Sequence, residues 1–158
     1  IETHPGQGTK FTIKLPLTLA IIQALLVDVG GETFALPIAN VKETLRLAPK
    51  DIFSVEGHAE VIHLRDSVVP ILRLNEILNT SKTDTNGRTY VAVVAYEDKQ
   101  VGLVVDRMVN EQEIVIKALE GDVKKGSCIA GASIMGDGSV SLILDVLSLI
   151  NLGLKQTV

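Results

Sequence analysis

Tryptophan is absent, and only three phenylalanines and two tyrosines supply aromatic surface, so any core this chain builds is aliphatic. Cysteine occurs once, at Cys128, which excludes an internal disulfide and a cysteine-stapled scaffold and suits a reducing compartment. Neither sign of charge dominates. Fifteen Lys plus Arg face nineteen Asp plus Glu, a net charge of −4, so no sequence-wide attraction to nucleic acid or anionic lipid is expected. Long hydrophobic runs are missing as well: the longest, from Leu15 to Val27, is broken by Pro16, Thr18 and Gln23 and falls short of the roughly 20 residues of a membrane helix. Lys10 and Lys14 precede that run as they would in a secretory leader. No A-x-A-like cleavage site follows it, however, and it continues into a strand pattern.

What is present is a chain of 158 residues, 46% of them hydrophobic. That is enough for one domain or for two small barrels sharing an interface, with about 68–70% of the unfolded surface buried on folding. Short strands separated by turn residues dominate the pattern. Ala24 to Val29 and Glu32 to Pro37 flank Gly30-Gly31, a pair that tolerates the positive φ of a tight hairpin. Val61 to Leu64 and Val68 to Leu72 bracket Arg65-Asp66-Ser67, and Thr89 to Tyr96 and Gln100 to Val105 bracket Glu97-Asp98-Lys99. Ile129 to Met135 and Ser139 to Leu144 surround Gly136-Asp137-Gly138. Leu74 to Leu78 has helical spacing, and a terminal amphipathic helix is predicted from Asp145 to Leu152, capped by Asp145 and stopped by Gly153. Asn79 to Arg88 holds no large apolar side chain and divides the chain. Each half then reads as about five short strands ending in a short helix, which predicts a mainly β protein of two similar barrels.

Chemistry-bearing residues are sparse. His4, His58 and His63 lack ligand spacing, and Cys128 opens an aliphatic strand with no base beside it, so neither a metal site nor a nucleophile is predicted. Gly136-Asp137-Gly138 lies between strands and reads as a turn. Pro5-Gly6-Gln7-Gly8-Thr9, followed by a strand-like Phe11-Thr12-Ile13, brings two glycines before a hydroxyl and could approach a nucleotide, but no G-x-x-x-x-G-K accompanies it.

The run from Gly6 to Ile21, with its GQGTKFTIKLP core, resembles the junction in the CheA family of chemotaxis histidine kinases where the ATP-binding domain ends and the CheW-like regulatory domain begins. Leu36 to Val41, Val68 to Leu74, Val101 to Asp106 and Gly131 to Gly138 are similar to recurring segments of that regulatory domain, in family order. The resemblance implies two five-stranded SH3-like barrels sharing an apolar core. It divides the chain into a kinase remnant (1–15, with Gly6, Gly8 and Thr9 from the last glycine box), a connector (16–22, with Pro16, Leu17, Leu19 and Ala20), a first barrel (23–80), a loop (81–88), a second barrel with a terminal helix (89–152) and a tail (153–158). It implies no activity and no cofactor for this segment, ATP belonging to the parent kinase. The implied partners are the CheW adaptor, chemoreceptor tips and the kinase domain of the same chain, with no nucleic acid and no membrane insertion, in the cytoplasm beside receptor arrays. Docking needs apolar side chains exposed at strand ends, which predicts a face from Gly30, Gly31, Arg46, Leu47, Ile52, Phe53, Val55, Gly57 and His58. A stand-alone CheW-type adaptor, a nucleotide-binding enzyme fragment and a small-ligand barrel are the competing readings.

Overall fold

The structure, a computed structural model, describes residues 1–14, 20–55, 59–83, 85, 87–117 and 128–156. β1 (Glu2–His4) and β2 (Gly8–Lys10) form a separate two-stranded hairpin. Residues 11–14 add no strand to it, and Phe11 and Ile13 stand exposed, so the strand expected at Phe11-Thr12-Ile13 is absent. β3 (Ile21–Val29) begins inside the expected connector and turns through Gly30-Gly31 into β4 (Glu32–Pro37). A 3-10 turn leads to β5 (Val41–Leu47), and a second, Pro49–Asp51, leads to β6 (Ile52–Val55). β7 (Ala59–Leu64) and β8 (Ser67–Arg73) form the next hairpin, followed by the one-turn helix α1 (Leu74–Ile77). β9 (Thr89–Tyr96), β10 (Lys99–Val105), β11 (Arg107–Val115), β12 (Ile129–Ile134), β13 (Val140–Leu144) and α2 (Val146–Gln156) complete the order.

The mainly β class holds, and the hairpins form where the turn residues marked them. Their assembly differs from two self-contained halves. One sheet has the order β5-β9-β10-β8-β7-β6 and the other β11-β3-β4-β13-β12, so each takes strands from both sides of the 79–88 loop. Two parallel pairings make the exchange: β8 beside β10, and β4 beside β13. Neither sheet is a closed barrel, yet both curl strongly. A single bridge between Lys117 and Ala132 links the outer strands of the five-stranded sheet, with N···O distances of 2.8 and 3.1 Å. In the six-stranded sheet β5 and β6 are the two edges, although only Ala48 and the Pro49–Asp51 turn separate them in the chain.

Strand periodicity explains why the exchange is stable. On β9, Val91 and Val93 face a core enclosed by the six-stranded sheet, with Ile62, Val69 and Ile71, while Ala92 and Val94 face a central core. On β3, Ala24 and Leu26 face the interior of the five-stranded sheet, while Leu25, Val27 and Val29 join the same central core. These strands are buried on both faces and therefore read as unbroken aliphatic runs rather than alternating ones. The central core, shared by both sheets, also holds Val146, Leu149 and Ile150 of α2.

Asp145 caps α2 as expected: its carboxylate accepts from the backbone N–H of Leu147 and Ser148 at 3.1 and 3.3 Å and from Ser148 Oγ at 2.8 Å. Gly153 does not stop the helix, and the expected tail from residue 153 is helical to Gln156. The glycine answers a tertiary need instead. A Cβ there would lie 2.7 Å from Val101 Cγ2, so only glycine lets the helix approach β10 this closely.

Candidate functional site

β6 is an edge strand, paired only with β7. Ile52 turns inward beside Ile62, so Phe53 and Val55 turn outward by the alternation of a strand. Phe53 lies opposite Val61, and its ring meets the next outward residue of β7, His63, edge-on, with centroids 5.1 Å apart and planes at 74°. On β8, Val68 sits opposite His63 and Pro70 opposite Val61. Phe53, Val55 and Val68 remain 46%, 44% and 57% exposed, and together they give β6–β8 an outward apolar surface.

The opposite side of the same strands is polar at one end. Ser54, Glu60 and Arg73 share the inward parity of Ile52, Ile62 and Ile71 but lie at the mouth of the curled sheet. Arg73 donates from Nε and Nη2 to the two oxygens of Glu60 at 2.7 and 2.9 Å. That hydrogen bond raises the guanidinium pKa further above its ordinary value, against an opposing effect of burial. The mouth opens into a cleft of about 580 Å³ whose wall continues through Thr89, Lys82 and Arg88.

A second cleft, of about 400 Å³, lies beside the β3–β4 turn and shares Thr83, Thr85 and Arg88 with the first. Its floor is fixed by one ion pair and two turn hydrogen bonds. Arg107 donates to Asp28 Oδ2 at 3.1 and 2.6 Å, Thr33 Oγ1 donates to Asp28 Oδ1 at 2.8 Å, and the Gly30 N–H donates to Asp106 Oδ2 at 2.6 Å.

The expected docking residues divide among these places. Ile52, Phe53 and Val55 fall on β6, where Phe53 and Val55 are exposed. Arg46 places its guanidinium 6.0 Å from the Tyr90 ring centroid, and Leu47 is half-buried against the core of the six-stranded sheet. Gly31 borders the second cleft. Gly30 is not on an open surface: a Cβ there would lie 2.4 Å from Thr80 Cβ, so the glycine serves the turn beneath residues 80 and 81. Gly57 and His58, and Pro16, Leu17 and Leu19 of the connector, lie outside the described residues. Ala20 is exposed and its carbonyl accepts from the Ile116 N–H at 2.9 Å. Gly6, Gly8 and Thr9 form the turn and second strand of the exposed β1–β2 hairpin, in which no helix N-terminus stands to meet a phosphate.

Among the described residues no group of His, Cys, Asp and Glu could hold a metal ion, and no helix is long and apolar enough to cross a membrane. Cys128 is half-buried, and that burial, with the Asp145 charge second, raises its thiol pKa. Sequence reasoning missed Val68, Pro70, Glu60 and Arg73. The signal was there in parity, since Glu60 and Arg73 are opposite charges on the inward positions of neighbouring strands.

Residues 23–153 match the CheW-like domain family. The chain is 46% identical over 154 residues to the chemotaxis protein CheA of Treponema pallidum, an alignment covering 96% of this chain and 19% of that protein. The sensor histidine kinase CheAY of Helicobacter pylori is 41% identical over 147 residues, or 92% of this chain and 18% of that protein. The chain thus spans about a fifth of the length of these curated relatives. The scaffolding protein TtCheW of Thermoanaerobacter tengcongensis shares the fold with a TM-score of 0.62 at 17% identity, over 79% of this chain and 89% of that one.

Proposed function

This chain belongs to the CheW-like domain family, and we propose that it is the regulatory docking domain of a chemotaxis histidine kinase, binding a CheW-type adaptor and chemoreceptor tips in the cytoplasm. The alignment with CheA kinases over nearly the whole chain supports a parent kinase, whose phosphoryl transfer takes place outside this segment. The observation that carries the reading is the outward apolar surface of Phe53, Val55 and Val68 on the six-stranded sheet. A preformed surface of this kind loses little conformational freedom on docking, and interfaces of standard size cover about 800 Å² per partner. The segment between β2 and β3, which joins the kinase remnant to the sheets, is the mechanical link through which an occupied face would bias the catalytic domain.

The test is capture of the chain by an immobilised CheW-type adaptor, with Phe53→Ala and Val68→Asp as variants. Phe53 is already half in water, so its truncation costs about 1 kcal/mol of stability. Loss of an interface anchor costs about 2 kcal/mol or more, roughly thirtyfold in affinity. Variants that melt within a few degrees of wild type yet lose capture support the reading; undiminished capture by both variants refutes it.

A further inference from the structure

Two features of the six-stranded sheet converge on one edge. The first is the edge itself. β5, at the other margin of this sheet, carries Lys42, Glu43 and Arg46, the charges that commonly discourage a further strand. β6 reads Ile52-Phe53-Ser54-Val55, with no charge and no proline, and has a partner on one side only. Alternate residues of an antiparallel edge strand direct their N–H and C=O groups away from the sheet; the Ile52 N–H is taken by the Pro49 carbonyl, so the groups for a further strand are those of β6 beyond it. The second feature is the charge of the mouth beside it. Its charged wall groups are Arg73, Lys82, Arg88 and Glu60, and Glu60 is already held by Arg73. Among the described residues neither Lys82 nor Arg88 has a carboxylate partner, and the Arg73 Nη1 group is not engaged by Glu60. Among the described residues, three cations and one carboxylate line this opening in a chain of net charge −4, with the Glu76 charge also acting on Arg73.

We propose that β6 and the adjoining mouth form a receptor for an extended, acidic peptide segment of a partner protein. Added alongside β6, such a segment places alternate side chains on opposite faces of the sheet. Its acidic residues reach inward to Arg73, Lys82 and Arg88, and its intervening apolar residues cover Phe53 and Val55. Alternation in the ligand therefore matches the two sides of the sheet beside β6, the cationic mouth on one and Phe53 and Val55 on the other. The inference rests on the docking reading above and specifies the chemistry of one segment of the partner.

The test uses the full chain and a fluorescein-labelled peptide alternating glutamate and valine, followed by anisotropy at low and moderate salt. Two control peptides accompany it: one with lysine in place of glutamate, and one N-methylated at alternate amides to remove strand pairing. The expected result is binding of the glutamate peptide, weakened by salt. The double variant Lys82→Glu, Arg88→Glu, whose sites are exposed, lowers the affinity about tenfold. The lysine peptide fails to bind, and the N-methylated peptide binds about tenfold more weakly. Equal binding of the lysine or N-methylated peptide, insensitivity to the double variant, or failure of the glutamate peptide to bind overturns the proposal. Competition by inorganic phosphate alone at the same affinity as the peptide overturns it too, since it would reveal a small-anion site. Adaptor capture measured in parallel separates the two ideas: a chain that captures adaptor through Phe53 but binds no glutamate peptide refutes this inference and leaves the docking reading standing.

Discussion

Replacing Gly153 by alanine tests how closely α2 is held against the sheet. By helix propensity alone the change is favourable, because alanine is about 0.8–1.0 kcal/mol better than glycine in a helix interior. The structure sets a larger cost against it. The added Cβ would lie 2.7 Å from Val101 Cγ2 and 3.5 Å from Leu72 Cδ1 and Cγ. Only the first contact is too short: ordinary carbon contact at about 3.5 Å asks the helix or Val101 to give about 0.8 Å. Val101 is fully buried and belongs to the same core as Leu149 and Ile150, so the shift loosens contacts on both sides of the helix. Overpacking of this kind costs about 1–3 kcal/mol, and subtracting the propensity gain leaves a net loss of about 1 kcal/mol. Thermal melting followed by circular dichroism should show a midpoint about 2–4 °C below wild type. Asn151→Ala, at an exposed position of the same helix, is the control and should hold or raise the midpoint. A Gly153→Ala chain more stable than wild type refutes the close approach and returns the glycine to an unexplained position.

Two further outcomes follow from local chemistry. Asp145→Ala removes the acceptor for the first amides of α2 and should lower urea stability by about 1 kcal/mol, whereas an unchanged urea midpoint would show that the helix start is held by other contacts. Burial raises the Cys128 thiol, so at neutral pH less of it is thiolate in the folded chain than in the unfolded one. Iodoacetamide should therefore label the native chain more slowly than the chain in urea, with the gap narrowing as pH rises. The same shift adds stability below the ordinary thiol range that is lost as pH climbs through the raised value, and faster native labelling would contradict it.

Hairpins were legible because their information is local. Gly30-Gly31, Arg65-Asp66, Glu97-Asp98 and Asp137-Gly138 mark turns within a few residues of the strands they join, and Arg65 and Glu97 adopt the positive φ such turns demand. Sheet membership was not legible, because the parallel pairings of Ile71 with Gly102 and of Phe34 with Leu142 join strands from opposite sides of the 79–88 loop. No turn encodes them, and both arrangements bury the same aliphatic runs. Gly153 was misread for a related reason: the local rule for a helix stop and the tertiary need for a missing side chain call for the same residue. At the candidate site Phe53 was legible as one of only five aromatics in the chain and as a member of the expected docking face. Glu60 and Arg73 lie just beyond the expected strands Val61–Leu64 and Val68–Leu72, so the hairpin was marked while its extension to this charged pair was not.

If the outward face of β6–β8 is the adaptor's landing surface, amide chemical-shift mapping of the isotope-labelled chain on titration with a CheW-type adaptor will find it there. The largest shifts should cluster at Phe53, Val55, His63 and Val68, with the five-stranded sheet's Ile134 and Val140 unmoved at the first equivalent. Shifts confined to the five-stranded sheet, or none at saturating adaptor, would contradict it.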